Sequence, residues 1–224
     1  MPKTDQTTRG FTPALGRGPT VLYDAALRVF TREQRWRRAV VDAVADAEPT
    51  TVLDVGCGTG TLAVALAWRL PGAVITGLDP DPDALEIAQR KAKDGHHSIA
   101  WRSGFASDAA RDGRAGTLDL VTCTLVLHQV GLEGKASGLA AMLAVLRPGG
   151  QLVLADYSEQ RSPLMRALFR MTVQRIDGRR DTQPNADGAL PGLIAGAGFT
   201  DVTESMVITT PSGSISVFTA NKAG

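Results

Sequence analysis

The chain predicts an α/β fold, a mostly parallel sheet covered on both faces by crossover helices. Three observations carry that reading. From residue 51 onward, short β-branched runs alternate with Ala-rich stretches at helical spacing, the pattern of repeated strand-helix-strand units. The first run enters a turn holding Gly56, Gly58 and Gly60, and a helix-forming stretch follows it. Near the end, two β-rich runs follow each other with no helical stretch between them, which predicts a terminal hairpin closing the sheet. At 224 residues, one α/β unit with an added segment fits better than two separate cores.

Residues 1–18 are rich in Thr, Gly, Pro and Arg without periodicity, which predicts a flexible N-terminal arm. A single domain then spans 19–224. Over 19–47 the apolar residues Leu22, Ala26, Val29, Phe30, Trp36, Val40, Val41 and Val44 recur at helical spacing, so one or two N-terminal helices are expected. Arg32, Arg35, Arg37 and Arg38 among them read as a solvated face, with Trp36 buried. Strands are predicted at 51–55, 73–79, 98–102, 118–125 and 151–156, with helices near 60–70, 82–94 and 134–146. Asp81 ahead of Pro82 reads as an N-cap with proline in the first helical position. Residues 157–190 read as a lid-like insertion: Met165, Leu168, Phe169, Met171, Val173 and Ile176 predict a partly apolar helix, and a short helix follows at 189–197. The hairpin runs at 201–209 and 214–220 close the chain.

Composition excludes several functions. Lys and Arg number 24 against 23 Asp and Glu, so no basic field exists to grip a nucleic acid backbone. Apolar residues make up 43% and charged ones 21%, which suits a folded domain rather than a disordered one. Cys57 and Cys123 stand far apart without metal-ligand spacing, so neither a disulfide framework nor a zinc site is indicated. No run is long and apolar enough for membrane insertion, and no signal peptide is seen. A cytoplasmic protein is expected.

The segment Val52-Leu53-Asp54-Val55-Gly56-Cys57-Gly58-Thr59-Gly60 is a strand-turn-helix ligand site. Alternate glycines let the main chain turn sharply and approach a ligand, and the next helix offers free N–H groups. The spacing is GxGxG with Thr61 following, which departs from the GxGxxG dinucleotide fingerprint, and the lysine of a P-loop is missing. Asp54 beside the turn opposes a pyrophosphate and attracts an ammonium. Asp79, at the end of the second predicted strand, has the separation expected of a carboxylate that accepts from ribose hydroxyls. An amino acid and a ribose together suggest S-adenosylmethionine.

These residues carry a family resemblance. VLDVGCGTG at 52–60, GLDPDP at 77–82, LDLVTCTLVLHQV at 118–130 and LRPGGQLVLADY at 146–157 closely resemble the motifs of class I S-adenosylmethionine-dependent methyltransferases. Tyr23-Asp24, then Arg35-Trp36-Arg37, and the ending at 177–202 are similar to the small-molecule branch related to ubiquinone and menaquinone methyltransferases. The resemblance implies a Rossmann-like, mostly parallel seven-stranded sheet with an antiparallel C-terminal strand. It implies that Asp54, Gly56, Cys57, Gly58 and Gly60 surround the methionine part of S-adenosyl-L-methionine, that Asp79 and Pro80 hold the ribose, and that Gly104, Phe105 and Ala106 adjoin the adenine. Relatives often have an acidic residue at the position of Phe105, so apolar packing, a main-chain N–H or Asp108 would take its place. Thr124 and Leu125 would flank the donor, and Tyr23 would close over the methionine carboxylate.

Methyl transfer is an in-line displacement that needs alignment and a dry site more than it needs catalytic side chains. Where the acceptor must lose a proton, His128 after the fourth strand is the candidate neutral base, with a structural bridge through its ring nitrogens as the alternative. Asp156 and Tyr157 end the fifth strand near the same edge, and Met165, Phe169 and Met171 would either wall an apolar acceptor pocket or pack their helix on the domain. Cys123-Thr124-Leu125-Val126 stands where nucleobase and glutamine amino-methylating families carry an Asn/Asp-Pro-Pro-Tyr/Phe run. The expected partner is a small-molecule methyl acceptor, with a homodimer left open. A donor-binding protein without catalysis and a nicotinamide-dependent oxidoreductase are the competing readings.

Overall fold

A computed structural model describes residues 31–111 and 115–224. Seven strands form one sheet in the order β3-β2-β1-β4-β5-β7-β6: β1 Thr51–Val55, β2 Val74–Asp79, β3 Ile99–Ser103, β4 Leu118–Thr124, β5 Leu146–Tyr157, β6 Phe199–Thr210 and β7 Gly213–Lys222. Strands β1 to β5 are parallel, and β7 runs antiparallel between β5 and β6. The helices are α1 Glu33–Asp46, α2 Thr61–Arg69, α3 Pro82–Asp94, α4 Leu132–Val145, α5 Pro163–Met171, α6 Val173–Ile176, α7 Arg179–Ala186 and α8 Leu190–Gly196. Among the described residues, no helix is long and apolar enough to cross a membrane. The expected arm at 1–18 and any helix over 19–30 lie outside the described residues.

Strand alternation divides the core into two clusters. Leu53, Val55, Val121, Cys123, Leu152 and Leu154 pack with α4 and α8 through Leu139, Met142 and Ile194. Val52, Leu120, Val153, Ala155 and Val217 pack on the other face with Trp36, Val40 and Val44 of α1 and Leu62 and Leu66 of α2. Asp54 has the parity of Val52, so its carboxylate is directed under α1 and α2 and is fully buried there. The predicted cap of α3 is present: Asp81 accepts from the amides of Asp83 and Ala84, with Pro82 in the first turn.

Two elements differ from the expectation. Strand β5 begins at Leu146 rather than near residue 151, because Arg147-Pro148-Gly149-Gly150 stays in the sheet as an irregular stretch opposite Leu118–Leu120. Gly149 supplies a φ of +73° there, and a Cβ on Gly150 would come within 2.9 Å of the Arg147 carbonyl oxygen. The apolar stretch after β5 is not one helix but three. Its breaks fall at Thr172, whose φ and ψ of −113° and −84° leave the helical range, and at Gly178, with φ +81°.

At the opposite edge from the glycine turn, Asp119 fastens three segments. Its Oδ2 accepts from the amides of Thr50 and Thr51 at 2.8 and 2.9 Å and from both hydroxyls, while its Oδ1 accepts from Arg147 Nε at 2.6 Å. The Arg147 guanidinium and the Thr50 hydroxyl hold this carboxyl well below the usual carboxylate range. A depressed folded-state pKa stabilises the fold above the unfolded value and is lost as pH falls through the folded value. Asp119→Ala is therefore expected to cost about 1–3 kcal/mol at neutral pH. Urea unfolding should show the deficit shrinking on acidification below about pH 4.

Candidate functional site

Because β1 to β5 are parallel, their carboxyl ends share one edge of the sheet. The strand order reverses direction between β1 and β4, and such a reversal opens a crevice at that edge. The glycine turn lies at its mouth. Gly56, Gly58 and Gly60 have φ of +69°, +50° and +74°, a region that glycine enters without strain. They have different neighbours. A Cβ on Gly56 would strike Val126, and one on Gly60 would strike Trp101 and Ala88, whereas one on Gly58 would meet nothing within 4 Å. Two of the glycines thus serve close packing, and Gly58 leaves its main chain accessible.

The turn is held in shape by β2. The amides of Gly56 and Cys57 donate to the Leu78 carbonyl at 2.7 and 3.1 Å. The Gly58 amide donates to Asp79 Oδ2 at 2.8 Å, and Asp79 Oδ1 accepts from the Asp81 amide at 2.9 Å. Each carboxylate oxygen has more than one lone pair, so Asp79 still has acceptor capacity for a hydroxyl pair. Burial pushes its pKa up, and the amides of Asp81 and Gly58 oppose that shift. Pro80 sits between these two aspartates, half-buried. Cys57 is a buried free thiol.

Among the described residues, Asp54 is only half satisfied. Its Oδ1 accepts from the Thr122 hydroxyl at 2.8 Å, while Oδ2 is buried with no hydrogen-bond partner among the described residues. Burial raises its pKa to about 7 against the opposing Thr122 bond and the positive charge of Arg37. Arg37 departs from the expected solvated arginine face. Its guanidinium pairs with Glu33 and lies 5.0 Å from the Trp36 ring centroid, and its Nε is also buried without a partner among the described residues. A buried acceptor and a buried donor, both unpartnered among the described residues and within each other's field, suit a ligand carrying both signs.

The remaining predicted contacts line the same edge. The Gly104 amide donates to the Asp79 carbonyl at 3.1 Å, and Phe105 exposes 41% of its surface beside it. Ala106 opens a 3₁₀ turn, Ala106–Asp108. Asp108 is occupied: one oxygen accepts from the Phe105 amide at 2.9 Å and the other pairs with Arg111 at 2.6 Å. Thr124 ends β4, and Leu125 follows in the left-handed region with φ +55°. A non-glycine residue there is strained, and such strain concentrates at functional sites. Tyr23 lies outside the described residues.

His128 is buried in the 3₁₀ turn after β4, at the same edge of the sheet. Its Nδ1 is 2.6 Å from Asp156 Oδ1, and its Nε2 is 3.6 Å from Asp177 Oδ2. Burial opposes the charged ring, but the two carboxylates overcome it and raise the pKa to about 9. Sequence alone leaves His128 at its ordinary pKa and hence neutral; its carboxylate neighbours make it an imidazolium at neutral pH. Asp156 in turn accepts from the amides of Val126, Leu127, His128 and Tyr157. The Tyr157 hydroxyl points away, 2.6 Å from Ser212 Oγ, while its ring packs edge-on to His128 and tilted to Phe169. Of the three candidate wall residues, Phe169 is in the core, Met165 is half-buried and Met171 is exposed.

Lys135 and Asp177 carry no signal in the sequence pattern that marks them for the site. Lys135 on α4 is fully buried, and its ammonium donates to the carbonyls of Leu127, Val130 and Asp181. It thereby ties the turn after β4 to α7. Asn185 ties α7 to the end of β5 through a 2.9 Å bond to the Tyr157 carbonyl.

Residues 52–150 match the methyltransferase-domain family model. The chain is 35% identical over 83% of its length to the demethylmenaquinone methyltransferase of Deinococcus radiodurans, covering 73% of that protein. It is 33% identical over 69% of its length to the enzyme of the same name from Thermus thermophilus, again covering 69%. In fold it is similar to an O-methyltransferase family protein from Burkholderia thailandensis, with a TM-score of 0.73 at 19% identity over 90% of this chain and 58% of the other. The chain thus spans little more than half the length of that solved structure.

The charge on His128 makes stability depend on pH. Its folded-state pKa of about 9 lies above the ordinary 6.5, so its pairing stabilises the fold fully below the unfolded value and is lost as pH rises through the folded one. Relative to His128→Gln, the wild-type protein should lose unfolding free energy between those two values in urea titrations at constant ionic strength. A difference that stays flat across this window would show that the ring is neutral.

Proposed function

The chain belongs to the class I S-adenosylmethionine-dependent methyltransferases related to the menaquinone and ubiquinone C-methyltransferases, and from that premise we propose that it transfers the methyl group of S-adenosyl-L-methionine to a small, modestly apolar metabolite. The accepting atom is carbon, oxygen or nitrogen. One observation carries the donor assignment: a glycine turn pinned in shape opens beside Asp54, a buried carboxylate with one oxygen lacking a partner among the described residues. That oxygen suits the ammonium of a methionine moiety, and the orphan Nε of Arg37 suits its carboxylate. Gly56, Cys57, Gly58 and Gly60 would frame the same moiety, with Tyr23 a further contact. Asp79 with Pro80 would take the ribose. Gly104, Phe105 and Ala106 would adjoin the adenine, where the half-exposed Phe105 ring offers apolar packing and Asp108 is engaged elsewhere. Thr124 and Leu125 would flank the donor.

The bound donor supplies an electrophilic methyl group, and the protein's part is to hold, orient and dry the site. The Asp156-His128-Asp177 row stands at the acceptor side. An imidazolium held by two carboxylates favours a positioning role for His128 over that of a base, because a base must begin neutral. In that role the charged ring, 3.6 Å from Asp177 through Nε2, keeps the end of α6 against the crevice. The segment 157–190 would then act as the lid over the acceptor. We place the enzyme in the cytoplasm, as a monomer or homodimer acting on a metabolite rather than on a nucleic acid.

Calorimetry with S-adenosylhomocysteine, followed by incubation of labelled donor with quinols, phenols and amines, tests the reading. Binding with label transferred to one acceptor class is expected. Binding without transfer to any class would leave a donor-binding protein, and preference for a nicotinamide dinucleotide would overturn the assignment. Asp79→Ala should weaken donor binding by roughly 1.5–3 kcal/mol, both by loss of the hydroxyl acceptor and by release of the Gly58 amide. His128→Gln should lower turnover at unchanged donor affinity and remove the wild-type fall in turnover as pH rises through about 9. Loss of an ascending acid limb in the variant would instead make His128 the base.

A further inference from the structure

The segment after β5 carries a surface that the donor site does not use. Helix α5 is pinned at its start by Ser162, whose hydroxyl accepts from the Met165 amide, with Pro163 in the first turn. Its core contact is made by Phe169, the helix's one fully buried residue. The face carrying Leu164, Ala167 and Met171, spaced i, i+3 and i+7, is turned outward: Leu164 exposes 63% of its surface and Met171 66%, and Ile176 of α6 exposes 69%. Scattered apolar residues on a surface need no explanation. Here three of the most exposed ones fall within thirteen residues, on the segment that borders the acceptor side.

The charge around them is one-sided. Between residues 160 and 180 stand Arg161, Arg166, Arg170, Arg175, Arg179 and Arg180, with Asp177 the single acid and no lysine, while the rest of the chain is net acidic. Asp177 faces His128, and Arg161 is paired with Glu159 and Glu204. Among the described residues, none of the other five arginines has a carboxylate in ion-pair range. Arg166 and Arg170 are one turn apart beside the apolar stripe. An apolar stripe flanked by guanidinium groups matches the interface of a phospholipid leaflet, where the stripe enters the headgroup boundary and the arginines meet phosphates two hydrogen bonds at a time. The same segment is tied to the crevice through Asp177 on His128 and through the Asp181 carbonyl on Lys135.

We propose that the α5–α6 face docks on an anionic phospholipid surface and turns the acceptor side of the crevice toward the bilayer. The proposal rests on the methyltransferase reading only for the apolar character of the acceptor, which such a surface would supply. The test is co-sedimentation of the full chain with vesicles of phosphatidylcholine alone and of phosphatidylcholine mixed with phosphatidylglycerol. Binding to the mixed vesicles, abolished by high salt and weakened roughly tenfold or more by Leu164→Glu and by Arg170→Gln/Arg175→Gln, is expected. No binding, or equal binding to both vesicle types, would overturn the proposal. So would a self-association that Leu164→Glu dissolves in the absence of vesicles, which would make the stripe an interface between copies. A fall in melting temperature with Leu164→Glu and no vesicle binding would mean that the stripe is covered within the molecule, and that too would overturn the proposal. Donor calorimetry on the same samples reads the methyltransferase assignment separately, so either idea can fail alone.

Discussion

One fully buried carboxylate, Asp156, organises the carboxyl edge of the sheet beyond β4 and β5. Placed at the end of β5, it accepts from four consecutive or neighbouring main-chain amides and from the His128 ring. An ionised group costs several kcal/mol to bury unless donors surround it, and here the donors are the turn that must be shaped. The turn after β4, the orientation of His128 and, through His128, the approach of Asp177 all follow from that single charge. Its neighbour Tyr157 completes the arrangement from the other side, packing its ring on His128 while its hydroxyl is bound in the β6–β7 turn. The ends of β4 and β5 meet here because those strands are parallel, and the end of α6 joins them through Asp177.

The glycine turn obeys a different constraint, shape rather than charge. Three glycines at alternate positions look alike in the sequence, yet Gly56 yields room to Val126 and Gly60 to Trp101 and Ala88, and only Gly58 faces open space. The close packing of the outer two fixes the path of the chain, and the amide of the middle one is fixed by Asp79. A site assembled this way stands ready before the ligand arrives, which reduces the ordering cost of binding.

Much of the fold is legible in the sequence because strand alternation and helical spacing are local signals. Strands β1 to β4, the cap at Asp81 and the closing hairpin all lie within about two residues of their expected bounds. The glycine turn and Asp79 are legible for the same reason, being adjacent to strand ends. What escapes depends on residues distant in sequence. Arg37 reads as one of four solvated arginines, and nothing local links it to Asp54; only the parity of β1 and the docking of α1 on that face bring the two charges together. The imidazolium state of His128 comes from Asp156 first and Asp177 second, both distant from it along the chain. The breaks at Thr172 and Gly178 divide an apolar stretch whose periodicity alone predicts a continuous helix, and the left-handed Leu125 leaves no mark in composition at all.

The half-satisfied carboxylate of Asp54 has a thermodynamic consequence. With a pKa of about 7, part of the population carries a proton there at neutral pH, and a cationic amine seated against its second oxygen would drive that proton into solvent. Uptake of an amino-acid-bearing nucleoside would then be linked to proton release: the apparent association constant would climb with pH up to neutrality and level off above it, and the observed heat would vary with the ionisation enthalpy of the buffer.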